Sequence, residues 1–335
     1  MRKLNNTIYI TFLLLLCGVM LSCKKDELKS KELLAFIKSD GTDVHTAVIS
    51  FNRNPISVLG DSETRFAAYL TRETSADIAV TVAVDESKLA QYNKDNKTAY
   101  VMLPANNYKI ISSGSLNIKS GSIVSSDSVK IQLINRIQLT DTKGYILPLS
   151  ITQVNSSDKG AQASNSYQTV YVLVKSIYTN VNLSVKTTPV GTLINRRNPL
   201  WSIVGSTAPY NGSYPATNIL DGKNNTYWFA SGVNSFITID MAASNKVNGF
   251  VVTPSYVFSS IYNANGIEVL VSDDNINWVS QGTYTADAVL SSSSANTPDY
   301  RNINFYTPVT CRYVKFVLVT LPNSYGGIAE INAIM

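Results

Sequence analysis

The strongest constraint on this chain is a period-two alternation of apolar and polar residues in short runs, with almost no helical period between them. From Ala47 onward come "TAVISF", "ETRFAAYL", "DIAVTVAVD", "YVMLP", "SGSLNIKSG", "DSVKIQLI", "GYILPLSI" and "YQTVYVLV", separated by Gly, Asn, Asp, Ser and Pro. Successive side chains of a strand point to opposite faces, so such runs fit half-buried strands. Several of them at this spacing make an antiparallel sandwich. A second series follows: "SFITIDM", "VNGFVVTP", "GIEVLVSDD", "NINWVSQG", "RNINFYTP", "RYVKFVLVT" and "IAEINAIM". It predicts two further sheets packed face to face. One short helix is expected at "DESKLAQYNK", with Asp85 as its cap and Leu89 and Tyr92 three apart. The expected fold class is all-β, with two antiparallel β-sandwich domains.

The N-terminus departs from that pattern. "MRKLNNTIYITFLLLLCGVMLSC" has a basic start, an apolar run and small residues at its end, the build of a signal peptide. The run from Ile8 to Leu21 is short for a membrane span, which needs about 20 apolar residues. "MLSC" at 20–23 resembles the lipobox of bacterial lipoproteins, and "KKDE" at 24–27 resembles the acidic surface-sorting signal of Bacteroidota. These resemblances imply removal of residues 1–22, lipidation of Cys23, and a lipid anchor in the outer membrane exposed at the cell surface. Residues 23–44 are then a tether, 45–177 the first sandwich, 178–195 a linker or a joining strand with Pro189 and Gly191, and 196–335 the second domain.

Charge and cysteine content exclude several functions. The formal net charge is +5, and Arg2 and Lys3 leave with the signal. That surplus is too small to point to nucleic acid. Cys17 leaves with the signal and Cys23 is lipidated, so Cys311 alone remains and no intrachain disulfide forms in the mature chain. Cys311 lies in the alternating run "TCRYVKFVL", as a buried small residue. His45 is the sole His, which excludes a His-rich metal site and any Ser–His or Cys–His device not built on it.

Two resemblances assign the halves. "VAVDESKLAQYNKDNKTAYVMLPANNYKI" (82–110) and "GYILPLSI" (144–151) resemble a Bacteroidota domain of unknown function, number 1735, over about 45–177. That domain commonly opens surface lipoproteins of glycan-utilisation loci. "ATNILDGKNNTYW" (216–228) resembles the A-x-x-x-x-D-G-x-x-x-T-x-W stretch of coagulation factor 5/8 type C (discoidin-like) domains, a group that includes family 32 carbohydrate-binding modules. The match continues in order through "FITIDM", "GIEVLVSDDNINW", "CRYVKFVLV" and "GGIAEINAI". It implies a jelly-roll, galactose-binding-like fold.

The discoidin resemblance also implies sites. A structural Ca2+ would be held by the Asn218 carbonyl, the Asp221 carboxylate, the Lys223 carbonyl, both oxygens of Thr226, the Ala329 carbonyl and the Glu330 carboxylate. Two carboxylates among neutral oxygens suit that hard cation. An EF-hand does not fit, because Lys223 stands where a second ligand would be. Trp228 and Trp278 align with core tryptophans, and Trp201 reads as structural. Sugar-binding relatives build their site on loops at one end of the sandwich. The matching positions here are Tyr325 as stacking platform with Asn323 beside it, then Tyr256, Tyr262 and Asn263, then Tyr210 and Tyr214. Phe229 stands where galactose-binding members carry His, which argues against galactose specificity.

The expected function is a non-catalytic glycan-binding surface lipoprotein of a polysaccharide- or glycan-utilisation system. Its partners would be a glycan ligand, the outer membrane and an outer-membrane glycan transporter complex, without nucleic acid. From 196 to 335 there are 7 Lys and Arg against 8 Asp and Glu, a balance suited to neutral sugars. One alternative is an adhesion or protein/lipid-binding module, with Val257 and Phe258 as a loop-tip spike, although 253–266 holds no Lys or Arg. A second is an accessory glycosidase, which needs two carboxyls flanking the scissile bond. The adjacent Asp273 and Asp274 sit in a turn that the family uses structurally.

Overall fold

The computed structural model describes residues 32–39, 43–111, 115–157, 160–194, 200–256, 264–287, 293–321 and 324–335. The signal segment and Cys23 lie outside these residues. By internal packing the chain divides into two compact units. The described residues up to Ile49, with 62–134 and 143–174, form the first; 50–61, 135–142 and 175–335 form the second.

The strands of the first half are β1 (Leu34–Ser39), β2 (Thr46–Arg53), β3 (Val58–Gly60), β4 (Glu63–Leu70), β5 (Ile78–Val84), β6 (Val101–Met102), β7 (Tyr108–Ile111), β8 (Leu116–Ile118), β9 (Val129–Leu133), β10 (Tyr145–Ser156), β11 (Gln162–Ala163) and β12 (Thr169–Tyr178). One sheet runs β11-β1-β4-β9-β7 and a second runs β2-β12-β10-β5-β8, with β6 on β10. β1–β4, β4–β9 and β7–β9 pair antiparallel in the first sheet, and β10–β12, β5–β10 and β5–β8 in the second, whereas β1–β11 and β10–β6 are parallel; β2 runs parallel to β12, since Tyr171 and Thr179 N–H donate in turn to the His45 and Arg53 carbonyls. The alternation predicted from sequence is present: Phe66, Ala68 and Leu70 of β4 are buried, and the residues between them are not.

β1 corrects the expected tether. "LAFIKS" buries every second residue and pairs with β4, Ala35 opposite Leu70 and Ile37 opposite Ala68. Leu33 is already buried, so the sandwich begins well before residue 45. The helix forms as α1 (Lys88–Asn96), and Leu89 and Tyr92 pack with Ile146 and Leu173 as their spacing predicts. Asp85 does not cap it. The N-cap is Ser87, whose hydroxyl donates to the Asp85 carboxylate at 2.5 Å. That bond holds the Asp85 carboxyl below its ordinary range.

The second half has β13 (Ser202–Ser206), β14 (Trp228–Ser231), β15 (Ser235–Pro254), β16 (Gly266–Ser272), β17 (Val279–Thr285), β18 (Arg301–Thr320) and β19 (Tyr325–Ile334). They form one curled sheet in the order β14-β19-β15-β18-β16-β17, with β13 on β15. β15 and β18 are each 20 residues long, and their register breaks between Asp240 and Asn245 and between Val247 and Gly249. Extra residues in one strand bend a sheet and raise its twist. The two long strands thereby fold over a shared core and supply both layers of a jelly roll. Trp228, Phe250 and Phe316 are fully buried there, the two Phe rings edge-to-face at 5.2 Å. At the second break Gly249 has φ +151, and a Cβ on it would lie 2.1 Å from the Ile303 carbonyl oxygen.

The expected linker is also corrected. Residues 179–194 are strapped onto the second unit. The buried Asn180 donates through its side chain to the Gln281 side chain and the Thr307 carbonyl. The Asn304 side chain donates to the carbonyls of Val185 and Thr188 and accepts from Val190 N–H. Thr192 and Met335 exchange both backbone hydrogen bonds.

Gly249→Ala should destabilise the full chain by about 2 kcal/mol or more, since the backbone there excludes a side chain. Gly212→Ala, with nothing within 4 Å of its added carbon, should fall within about 0.5 kcal/mol of wild type in the same urea titration.

Candidate functional site

The pairing of β14 with β19 builds the candidate site. Trp228 opposes Ile328, Phe229 opposes Gly327, Ala230 opposes Gly326 and Ser231 opposes Tyr325. Side chains alternate along β14, so Trp228 enters the core and Phe229 takes the other face. Gly327 offers no side chain opposite Phe229; a Cβ there would meet Phe229 Cδ2 at 3.0 Å and the Trp228 carbonyl oxygen at 2.6 Å. The Phe229 ring therefore reaches its diagonal neighbour Tyr325, parallel to it within 5° at 5.8 Å.

The loop after β13 closes over these rings. Trp228 Nε1 donates to the Thr207 carbonyl at 3.2 Å, and Tyr210 N–H donates to the Phe229 carbonyl at 2.7 Å. Tyr210 lies edge-on to both Phe229 and Tyr325, at 6.0 and 5.8 Å. Tyr214 lies edge-on to Phe229 at 5.8 Å and stacks on Tyr227 at 5.4 Å. Such edge-to-face and offset contacts are favourable beyond the area they bury.

Four of the expected ligand residues are thus brought together: Tyr325, Tyr210, Tyr214 and Phe229. Their roles differ. Tyr210 is 54% exposed and Tyr325 and Tyr214 are half-buried, whereas Phe229 is only 2% exposed. Phe229 is corrected from ligand contact to floor, because the tyrosines cover its ring. Tyr227 is an addition; its place between Thr226 and Trp228 marks a strand edge but carries no signal of its own in the sequence. Tyr256 is held by its hydroxyl, which accepts the Asp299 N–H at 2.8 Å. Asn323, Tyr262, Asn263, Val257 and Phe258 lie outside the described residues.

The expected cation residues form a tight turn. Asn218 lies in the 3-10 segment Ala216–Leu220, which packs against β19 and β14. The exposed Asp221 accepts the Lys223 N–H at 2.9 Å on one oxygen and the Thr226 hydroxyl at 2.7 Å on the other. The same hydroxyl lies 3.3 Å from the Lys223 carbonyl oxygen. Three of the implied oxygen donors are therefore already bunched within hydrogen-bond distance of one another. Asn224 Oδ1 in the same turn is buried without a hydrogen-bond partner. Ala329 and Glu330 are buried on β19. An oxygen-only set with an orphaned carbonyl suits a hard cation.

Other singled-out residues are structural. Trp201 and Trp228 are buried, while Trp278 is half-buried at a strand entrance with Lys315 Nζ 4.0 Å above its ring, so it is a surface packing residue rather than core. Asp274 accepts the N–H groups of Ile276 and Asn277 and the hydroxyl of Ser272, bonds that hold its carboxyl far below the ordinary range. It staples a turn and stays ionised, which is the opposite of what a general acid requires. Cys311 is 1% exposed, and burial, with the Asp273 charge, pushes its thiol up to about 12. It is no nucleophile. His45 stacks on Tyr167 at 4.6 Å.

A family model described as F5/8 type C domain matches residues 202–333, and one for an N-terminal domain matches 30–158. Galactose oxidase of Gibberella zeae is 31% identical over 160 residues, 43% of this chain and 21% of that enzyme. The chain thus spans about a fifth of the length of the curated relatives it matches. A two-domain protein of unknown function from Bacteroides fragilis superposes with a TM-score of 0.57 at 16% identity, covering 90% of this chain and 95% of its own. It shares the fold. The family 32 carbohydrate-binding module of Clostridium perfringens NanJ, solved with galactose, covers 44% of this chain and all of its own at a TM-score of 0.35 and 18% identity.

The difference between floor and wall is measurable. Phe229→Ala should cost about 3 kcal/mol as a buried aromatic deletion, and Tyr325→Ala about 1 kcal/mol, in parallel urea unfolding. Cys311 should resist a thiol reagent such as DTNB in the native protein at pH 8 and react as soon as urea unfolds it.

Proposed function

We propose that the F5/8 type C domain of this chain holds carbohydrate on its aromatic platform, and that the chain is a non-catalytic glycan-binding lipoprotein of the cell surface. The observation that carries the reading is the grouping of Tyr210, Tyr214 and Tyr325 around the buried Phe229 ring. A pyranose has an apolar C–H face and a rim of hydroxyls. An exposed phenol ring matches that face, and phenol hydroxyls serve the rim. Three such rings on a supported floor form a preorganised surface, since the ring contacts and the Tyr210–Phe229 backbone bond already fix them.

The lipobox-like "MLSC" supports lipidation at Cys23 and an outer-membrane, surface-exposed location, as the "KKDE" flank does. In that setting the natural partner is an outer-membrane glycan transporter complex of a glycan-utilisation system. The commitment of Asp274 to its turn supports a binding role over a glycosidase. Calcium belongs to the same proposal. Asn218, Asp221, Lys223 and Thr226 would hold it against Ala329 and Glu330 of β19. The ion would supply a fixed charge tying the turn to the strand.

On a glycan array or affinity gel of neutral polysaccharides, Tyr325→Ala should bind at least tenfold more weakly than wild type while its melting temperature falls by only a few degrees. Wild type that retains none of them would refute carbohydrate binding. Adding EGTA should lower the melting temperature by several degrees, since a ligand bound only to the folded state stabilises it by mass action. Asp221→Ala should abolish that shift; a wild-type melting temperature indifferent to EGTA and calcium would remove the metal.

A further inference from the structure

The chain contains three Asn-Gly pairs, at 211–212, 248–249 and 265–266. Such a pair holds a nucleophile beside an electrophile. The glycine nitrogen can attack the asparagine side-chain carbonyl, because no Cβ shields its approach. The attack closes a five-membered ring, and closing it turns the peptide plane between the two residues. A peptide held in a sheet ladder cannot turn without giving up backbone hydrogen bonds, which are costly to leave unmade.

The structure separates the three pairs. Gly249 lies within β15, in register with Asn304 of β18 and Ile334 of β19, where a Cβ would lie 2.1 Å from a carbonyl oxygen. Gly266 opens β16 in register with Thr285 and Thr320. Asn265 beside it donates its N–H to the Thr320 carbonyl and accepts the Ala286 N–H. Asn211 and Gly212 are instead exposed, in a turn of the loop after β13. Nothing lies within 4 Å of a Cβ at Gly212, and its N–H makes no hydrogen bond among the described residues.

The turn also prepares the electrophile. Asn211 Oδ1 accepts the Ser213 N–H at 2.8 Å, an Asx-turn. The ring closed by that bond contains the Gly212 nitrogen, so nucleophile and carbonyl carbon are held in proximity. An N–H aimed at Oδ1 also meets the negative charge that develops there on attack, as an oxyanion donor does. The Asn211 backbone carbonyl accepts the Tyr214 N–H at 3.2 Å and closes the same turn.

We propose that Asn211 is a self-modification site, deamidating through Gly212, and that its product weakens the platform of Tyr210, Tyr214 and Tyr325; the second clause rests on the carbohydrate reading. The Gly212 nitrogen loses its proton and bonds to Asn211 Cγ. The Cγ–Nδ2 bond breaks, and Nδ2 leaves as ammonia with that proton. Water then opens the ring at either carbonyl. Opening at Cγ leaves aspartate. Opening at the backbone carbon leaves isoaspartate, whose main chain runs through Cβ and Cγ. Either product places a carboxylate in the loop between Tyr210 and Tyr214. Isoaspartate also lengthens the main chain by one carbon next to Tyr210, whose N–H is tied to the Phe229 carbonyl.

The test incubates the full chain at pH 6 and pH 8 and follows each Asn-Gly pair by peptide mass spectrometry, which reads the exchange of NH2 for OH. In the folded protein Asn211 should convert at least tenfold faster than Asn248 and Asn265. It should convert faster at pH 8 than at pH 6, because attack needs the glycine nitrogen deprotonated. Gly212→Ala, for which the turn has room, should slow it at least fivefold. In urea the three pairs should convert at similar rates. The site is overturned if Asn211 is no faster than the other two in the folded protein, if Gly212→Ala leaves its rate unchanged, or if the three differ as much in urea. Converted protein should bind neutral polysaccharide at least threefold more weakly than fresh protein, with Asn211→Asp, which adds the charge without rerouting the chain, in between. Equal binding by fresh and converted protein overturns the effect on the platform. Fresh protein that binds no polysaccharide refutes the carbohydrate reading and that effect together, while the conversion at Asn211 is judged by mass alone.

Discussion

The pairing of β14 with β19 is the contact on which the second domain depends. It sends Trp228 into the core, turns Phe229 to the opposite face, and sets the Gly326–Gly327 gap beneath them. A side chain at position 327 would strike both the Trp228 backbone and the Phe229 ring. One strand register therefore fixes the largest core residue and the floor of the platform together. The loop at 207–210 is fastened to the same two residues, by Trp228 Nε1 and the Phe229 carbonyl. The exposed tyrosines are held in place by packing and backbone bonds.

Much of this was legible in the chain because strand alternation is local. The buried set of β4, or of "LAFIKS" in β1, follows from period two alone. β1 escaped because a short apolar run beside a polar leader reads as a tether until its partner is known, and that partner, β4, is supplied by residues about thirty positions on. The oxygen-rich turn and Tyr325 were visible through their residue types. The demotion of Phe229 was not. An aromatic at a strand edge is equally consistent with surface and floor, and only the glycines opposite it and the covering tyrosines decide.

The strap at 179–194 shows a different limit. Its sequence is polar and has Pro189 and Gly191, the composition of a linker. What fastens it is a set of amide side chains more than a hundred residues away, in particular Asn302, Asn304 and Gln281, which are all buried. Asparagine satisfies a stray carbonyl and a stray N–H at once, so a single Asn304 replaces a missing strand partner for three backbone groups. A polar residue in an otherwise alternating run signals little in the sequence. In the fold these amides convert a connector into a fixed part of the second unit.

β19 carries Tyr325 at its start, Glu330 near its middle and Asn332 near its end. A strand is a stiff spacer, so the distance between platform and turn is set by residue count and not by loop motion. Tyr325 is held opposite Ser231 by β14, and Glu330 opposite Thr253 by β15, so a single strand register places the platform and the strand side of the oxygen-rich turn together.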